Sequence, residues 1–217
     1  MVMVDRCRET TIERCLLHAQ TLNQVAGLVI SRSTDVQVMN CVIDNVQYGI
    51  WTLADTTGLV VVGNSFDAAN KRQSDGGLVA LLLQDLSFPA RIEDNRILGF
   101  VFGIVLNNGL LTGAPFSLAA GSTIAGNYIV RLGVALENAT IKAFGIDVAA
   151  DGCVISDNIL LYNSPEYGGI SVSGRNAVVE RNQLRSMLKE AGTVRPIALL
   201  LAKLGANGSL GSVGGRP

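Results

Sequence analysis

One short word governs what this chain can fold into: an apolar residue, two variable residues, Asn or Cys, one variable residue, and a second apolar residue. It occurs first as Ile12-Glu-Arg-Cys15-Leu-Leu17, Val38-Met-Asn-Cys41-Val-Ile43, Val61-Val-Gly-Asn64-Ser-Phe66 and Ile92-Glu-Asp-Asn95-Arg-Ile97. Three more copies follow: Ile124-Ala-Gly-Asn127-Tyr-Ile129, Ile155-Ser-Asp-Asn158-Ile-Leu160 and Val179-Glu-Arg-Asn182-Gln-Leu184. The keyed residues lie 26, 23, 31, 32, 31 and 24 positions apart, the length of one solenoid turn with insertions of variable size.

A second word falls between copies of the first, a glycine leading alternating apolar residues: Gly27-Leu-Val-Ile30, Gly49-Ile-Trp-Thr-Leu53, Gly77-Leu-Val-Ala-Leu81, Gly103-Ile-Val-Leu106, Gly145-Ile-Asp-Val148 and Gly169-Ile-Ser-Val172. Strands this short, returning in one order and one direction, make neither hairpins nor βαβ units. Stacked turns satisfy them, with equivalent strands about 4.8 Å apart in parallel sheets. The composition agrees, with 24 glycines, 48% hydrophobic residues and only 5% aromatics, which suits an aliphatic interior bounded by tight turns.

The asparagines then form a column. Each is expected to donate to and accept from the turn above and below, and to tolerate the left-handed backbone of a corner. Cys15 and Cys41 take its place in the first two turns, where small buried thiols continue the column as unpaired cysteines. In-register stacking holds their Cβ atoms about 4.8 Å apart, wider than disulfide geometry favours. Cys153 holds a position occupied in other turns by Thr10, Val36, Leu59, Ala90, Ser122 and Ala177, and so is expected to pack. With no CxxC word and one histidine, His18, no metal or other cofactor is expected.

These words resemble the repeats of the right-handed parallel β-helix proteins, the pectin lyase-like superfamily, from roughly Thr10 to Leu201. The expected fold is therefore all-β, a single-stranded right-handed parallel β-helix (β-solenoid) of about seven turns with loop insertions. It spans residues 1–204, with a flexible Gly/Ser-rich tail at 205–217. The resemblance implies a polysaccharide as the first ligand to test. It carries no activity with it, because the Asn-Thr-Asp, Asp-Asp, Gly-His-Gly and Arg-x-Lys words of polygalacturonases and the Asp-Pro-His-Asp word of alginate epimerases are absent. The scattered calcium carboxylates of pectate lyases leave no comparable word to look for.

If the residue after each glycine points inward, Val29, Trp51, Val105, Asp147 and Ser171 form an outward row. Trp51, the only tryptophan, near Asp147 would make a sugar platform; the alternative is a stripe covered by an insertion or another subunit. Past the same strands stand Asp55, Asp85, Asn107, Asn108 and Asp151. Two carboxylates on neighbouring turns have acid/base or cation-binding geometry, whereas Asp55-Thr-Thr-Gly58 and Asp151-Gly152 are also turn words. Insertions at Ala68 to Gly76, Gly109 to Gly121 and Leu132 to Ala143 would supply recognition loops. Leu184, Met187 and Leu188 have helical spacing, predicting a short helix over Gln183 to Ala191 before a last strand at Pro196 to Leu201.

The 17 basic and 18 acidic residues nearly cancel, so no field gathers nucleic acid, and no apolar run reaches membrane-spanning length. Asp5, Arg6, Arg8, Glu9, Glu13 and Arg14 interrupt the first apolar residues, so no signal peptide is read there. The expected setting is either cytosolic or, for a segment of a longer chain, extracellular or on a particle surface. Unpaired end turns imply a homo-oligomer or a neighbouring chain as partner. The functional expectation is a non-catalytic structural or recognition module binding a glycan or another protein chain, with a lyase or glycoside hydrolase of acidic polysaccharides as the alternative.

Overall fold

A computed structural model describes residues 1–19, 26–68, 77–106, 118–130, 144–162 and 168–186 of the 217. The chain winds through seven turns of three strands. They are β1 (Val2–Asp5), β2 (Arg8–Glu13) and β3 (Leu16–His18); β4 (Ala26–Ser31), β5 (Thr34–Met39) and β6 (Val42–Asp44); β7 (Tyr48–Leu53), β8 (Val60–Val62) and β9 (Ser65–Asp67). Next come β10 (Gly77–Leu83), β11 (Arg91–Glu93) and β12 (Arg96–Leu98), then β13 (Phe100–Leu106), β14 (Thr123–Ala125) and β15 (Tyr128–Val130). The last two turns are β16 (Phe144–Val148), β17 (Val154–Ser156) and β18 (Ile159–Tyr162), and β19 (Gly168–Val172), β20 (Val178–Glu180) and β21 (Gln183–Ser186). First, second and third strands of successive turns form three seven-stranded sheets, parallel throughout.

The first sequence word maps onto this architecture directly. Its leading apolar residue is the inward residue of the second sheet, stacked as Ile12, Val38, Val61, Ile92, Ile124, Ile155 and Val179. Its trailing one is the inward residue of the third, stacked as Leu17, Ile43, Phe66, Ile97, Ile129, Leu160 and Leu184. With Leu28, Ile50, Leu81, Ile104, Ile146 and Ile170 from the first sheet they fill one continuous core. Each strand contributes one or two inward side chains, so burial comes from stacking and not from any single turn.

Two residues join second and third sheets in every turn. The second of them is the column residue; the first is left-handed, at Arg14, Asn40, Gly63, Asp94, Gly126, Asp157 and Arg181, with φ between 52 and 68°. The left-handed backbone expected of the asparagines thus falls one residue earlier. The sharp turn is made there, which leaves the asparagine side chain aimed inward for bonding. Asn95 shows the pattern: its Oδ1 accepts both the backbone N–H and the Nδ2–H of Asn64 at 3.0 Å. Its own N–H and Nδ2–H are given to Asn127 Oδ1 at 3.0 Å, and Nδ2 also donates to Val61 O at 2.9 Å. Asn127 and Asn158 repeat this toward Asn158 and Asn182. Cys41 N–H donates to Asn64 Oδ1 at 2.9 Å, and all four cysteines are free thiols. Cys153 is buried and packs in the core, its thiol pushed up to about 11 by burial.

Two other expectations are corrected. Gln183 to Ser186 is strand β21, paired with β18, because Leu184 is the trailing apolar residue of the seventh word and stacks on Leu160; 187–191, 196–201 and the 205–217 tail lie outside the described residues. In the fourth turn Gly77 is not the glycine of its word. Leu81 pairs with Ile50 and Ile104, so Ala80 stands in register with Gly49 and Gly103, and the strand starts three residues before that point.

Candidate functional site: the outer face of the first sheet

Length variation is confined to the corners that border the first sheet. The corner from second to third sheet never exceeds two residues, whereas the other two reach sixteen after β13 and thirteen before β16. The segments 20–25, 69–76, 107–117, 131–143 and 163–167, outside the described residues, each adjoin a strand of that sheet. They include most of the three insertions expected as recognition loops. Because these segments adjoin its strands in the sequence, the outer face of the first sheet is taken as the candidate site.

The register places the outward row as Met3, Val29, Trp51, Leu82, Val105, Asp147 and Ser171. All five residues expected from the sequence are in it, and Met3 and Leu82 complete it. Beside it run Tyr48, Val79 and Phe102. Val79, Leu82 and Val105 form an apolar cluster with Tyr48, Trp51 and Phe102 packed against it. This face is unlike the others. Val29, Leu82 and Val105 are 6%, 8% and 2% exposed, while the outward Val42 and Tyr128 of the third sheet are 42% and 37% exposed.

Tyr48 and Trp51 are the half-buried edge of that cluster, their ring centroids 5.3 Å apart and tilted by 31°. Trp51 Nε1–H donates to Gln84 Oε1 at 3.3 Å. Gln84 is held in turn by Thr52, whose hydroxyl accepts Gln84 N–H and donates to Gln84 O, both at 2.8 Å. The indole is therefore oriented by two successive layers of contact. Sequence reasoning missed Tyr48, Gln84 and Phe102. Tyr48 and Phe102 directly precede Gly49 and Gly103 and were findable from the glycine words; Gln84 depends on the shifted register of the fourth turn.

Trp51 and Asp147 share a row but not a site. Leu82 and Val105 separate them, three strand spacings or about 14 Å. Asp147 lies between Val105 and Ser171; burial raises its carboxyl above the usual aspartate range, and a hydrogen bond from Ser171 partly opposes this. A carboxyl raised in the folded state makes the native protein bind more protons, so its contribution to stability falls as pH rises through the ordinary aspartate range. Asp147→Asn is expected to raise Tm at pH 7, with the difference closing below about pH 3, as read by thermal melts of both proteins across that interval.

The corner acids divide. Thr56 bridges Leu86, which sets Asp55 and Asp85 on neighbouring turns, both exposed and both left-handed, at φ 49 and 52°. Asp151 is occupied as a turn acceptor, its Oδ1 taking Arg175 N–H at 2.6 Å. Asn107 and Asn108 lie outside the described residues. Among the described residues no three His, Cys, Asp or Glu side chains gather as a metal site, and no helix is long and apolar enough to cross a membrane.

A family model described as the right handed beta helix region matches residues 1–186. The chain belongs to this family. The matched right-handed β-helix ends at Ser186, the last residue of β21, and so takes in all seven turns. No curated protein and no solved structure matches the chain. Membership in the β-helix family fixes the scaffold and assigns no chemistry to it.

Proposed function

We propose that this β-helix is a non-catalytic recognition module that takes a polysaccharide on the outer face of its first sheet, with Tyr48 and Trp51 as the platform. The observation that carries the reading is the aromatic pair itself: two half-buried rings on an apolar bed, with the Gln84 amide at the indole edge. That combination offers a sugar ring an apolar surface and a hydrogen-bonding group at its rim.

Because Trp51 is the only tryptophan, intrinsic fluorescence reports on the site directly. Titration with a panel of neutral and acidic polysaccharides should give a saturable change with at least one of them. Tyr48→Ala should weaken that binding by about tenfold or more while leaving the reporter in place. No response to any member of the panel overturns the glycan reading and leaves the face as a protein contact. Accumulating reducing ends or unsaturated uronide products overturns the non-catalytic part.

The alternative, a lyase or hydrolase, is favoured by the raised carboxyl of Asp147, a shift in the direction in which general acids are tuned. Carboxylate-pair hydrolysis needs a second carboxyl within about 5–10 Å, and the row neighbours of Asp147 are Val105 and Ser171. Among the described residues of this row, the geometry thus supports binding over carboxylate-pair hydrolysis.

A further inference from the structure

The asparagine column ends in two thiols. The pairs Glu13 with Met39 and Leu16 with Val42 flank them, so Cys15 lies directly beneath Cys41. Cys15 N–H lies 3.5 Å from Cys41 Sγ. We infer that Cys15 and Cys41 are an oxidisable dithiol, closing to a disulfide that staples the first turn of the solenoid to the second when a low-molecular-weight disulfide is supplied.

Three features allow the closure. One strand spacing, about 4.8 Å between Cα atoms, lies inside the range that disulfides span, about 4.4–6.8 Å. The Cβ atoms need to approach by only a few tenths of an ångström to reach the upper end of their range, about 4.5 Å. The first turn can supply that movement, because β1, β2 and β3 are end strands of their sheets and pair on one side only. Nothing in the column opposes the bond: the contact from Cys41 to Asn64 uses the backbone N–H, which oxidation leaves in place. The thiol contacts given up, Cys15 Sγ to Glu13 O at 3.3 Å and Cys41 Sγ to Met39 O at 3.3 Å and to Ile12 O at 3.5 Å, are weak ones.

The chemistry balances as thiol–disulfide exchange. Cys15, the more exposed of the two, loses its proton to solvent and attacks one sulfur of oxidised glutathione, releasing one glutathione thiolate. Cys41 then attacks Cys15 Sγ in the mixed disulfide and releases the second. Two protein thiols are oxidised and one small disulfide is reduced to two thiols.

The test incubates the intact chain with oxidised glutathione. Expected are a fall from four titratable thiols to two, a mass about 2 Da lower with no retained adduct, and a peptide linking Cys15 to Cys41 that dithiothreitol reverses. Hydrogen exchange of the β2 and β3 amides should slow by roughly tenfold on oxidation. Cys15→Ser and Cys41→Asn should each abolish the change, the second keeping the column intact, while Cys7→Ser leaves it unaltered. Four persisting thiols, a stable glutathione adduct, or a bond through Cys7 or Cys153 overturns the inference.

Discussion

Asn127→Ala is expected to destabilise the protein by about 3–5 kcal/mol, lowering Tm by about 10 °C. Asn127 Oδ1 is the sole acceptor shown for Asn95 N–H, and it shares the Asn95 Nδ2 amide with Val61 O. Its Nδ2 serves Ile92 O at 3.0 Å and Asn158 Oδ1 at 2.9 Å. Asn95, Asn127 and Asn158 are at most 1% exposed, so water does not replace what is removed, and each stranded donor costs its full desolvation. Asn127→Asp tests the same point without a cavity: a carboxylate retains the acceptor but faces Ile92 O and Asn158 Oδ1 with a second acceptor. Asn182→Ala strands the two equivalent donors of Asn158, yet Asn182 is half-buried and water can stand in. About 2 kcal/mol is expected there. Equal losses at the two positions, measured by thermal or urea unfolding, would remove the column as the source of stability.

That gradient was partly legible beforehand. Asn64, Asn95, Asn127, Asn158 and Asn182 announce a column because a buried amide needs the same amide above and below it. The flanking apolar residues, such as Ile92 and Ile97, announce two inward faces separated by a tight corner. The left-handed residue was harder to place, since Asp94 and Arg181 carry no common chemistry; what they share is a position before the inward turn. Gly77 misled because a glycine outside the column looks like one inside it, and only pairing reveals that Ala80 holds the place. The helical spacing of Leu184, Met187 and Leu188 misled for a related reason: three apolar residues fit a helix, but the preceding Asn182 had already set Leu184 in a strand.

The candidate site was legible as a row and not as a constellation. Alternation along Gly49-Ile-Trp correctly sent Trp51 outward, and likewise Asp147. How far apart they stand depends on the number of turns between them, and the Leu82 rung disappears when the fourth turn is read from Gly77. Burial was legible only as the alternative of a covered stripe: alternation sends the valines of the first and third sheets outward alike, and it does not distinguish the buried Val29 and Val105 from the exposed Val42.

Gly49→Ala is expected to be strongly damaging, at about 3 kcal/mol or more. A Cβ there would lie 2.4 Å from Ala80 O and 2.6 Å from Phe66 Cδ1. The first is backbone of the adjacent strand and the second a fully buried ring, so neither can yield without moving β10 or the core. Gly152→Ala is the contrast. Its φ of 63° favours glycine, but the nearest atom to an added Cβ is 3.7 Å away, and about 1 kcal/mol of backbone strain is expected. A comparable loss at both sites would mean that φ, and not the close approach of neighbouring turns, sets the glycine requirement. The displacement at Gly49 also reaches the candidate site. Trp51 is two residues along the same strand and takes its orientation from Gln84, which follows β10. Shifting β10 away from β7 separates indole from amide, so Trp51 emission should move to longer wavelength in Gly49→Ala and stay unchanged in Gly152→Ala. In this fold the spacing between turns and the shape of the first sheet's outer face are one variable.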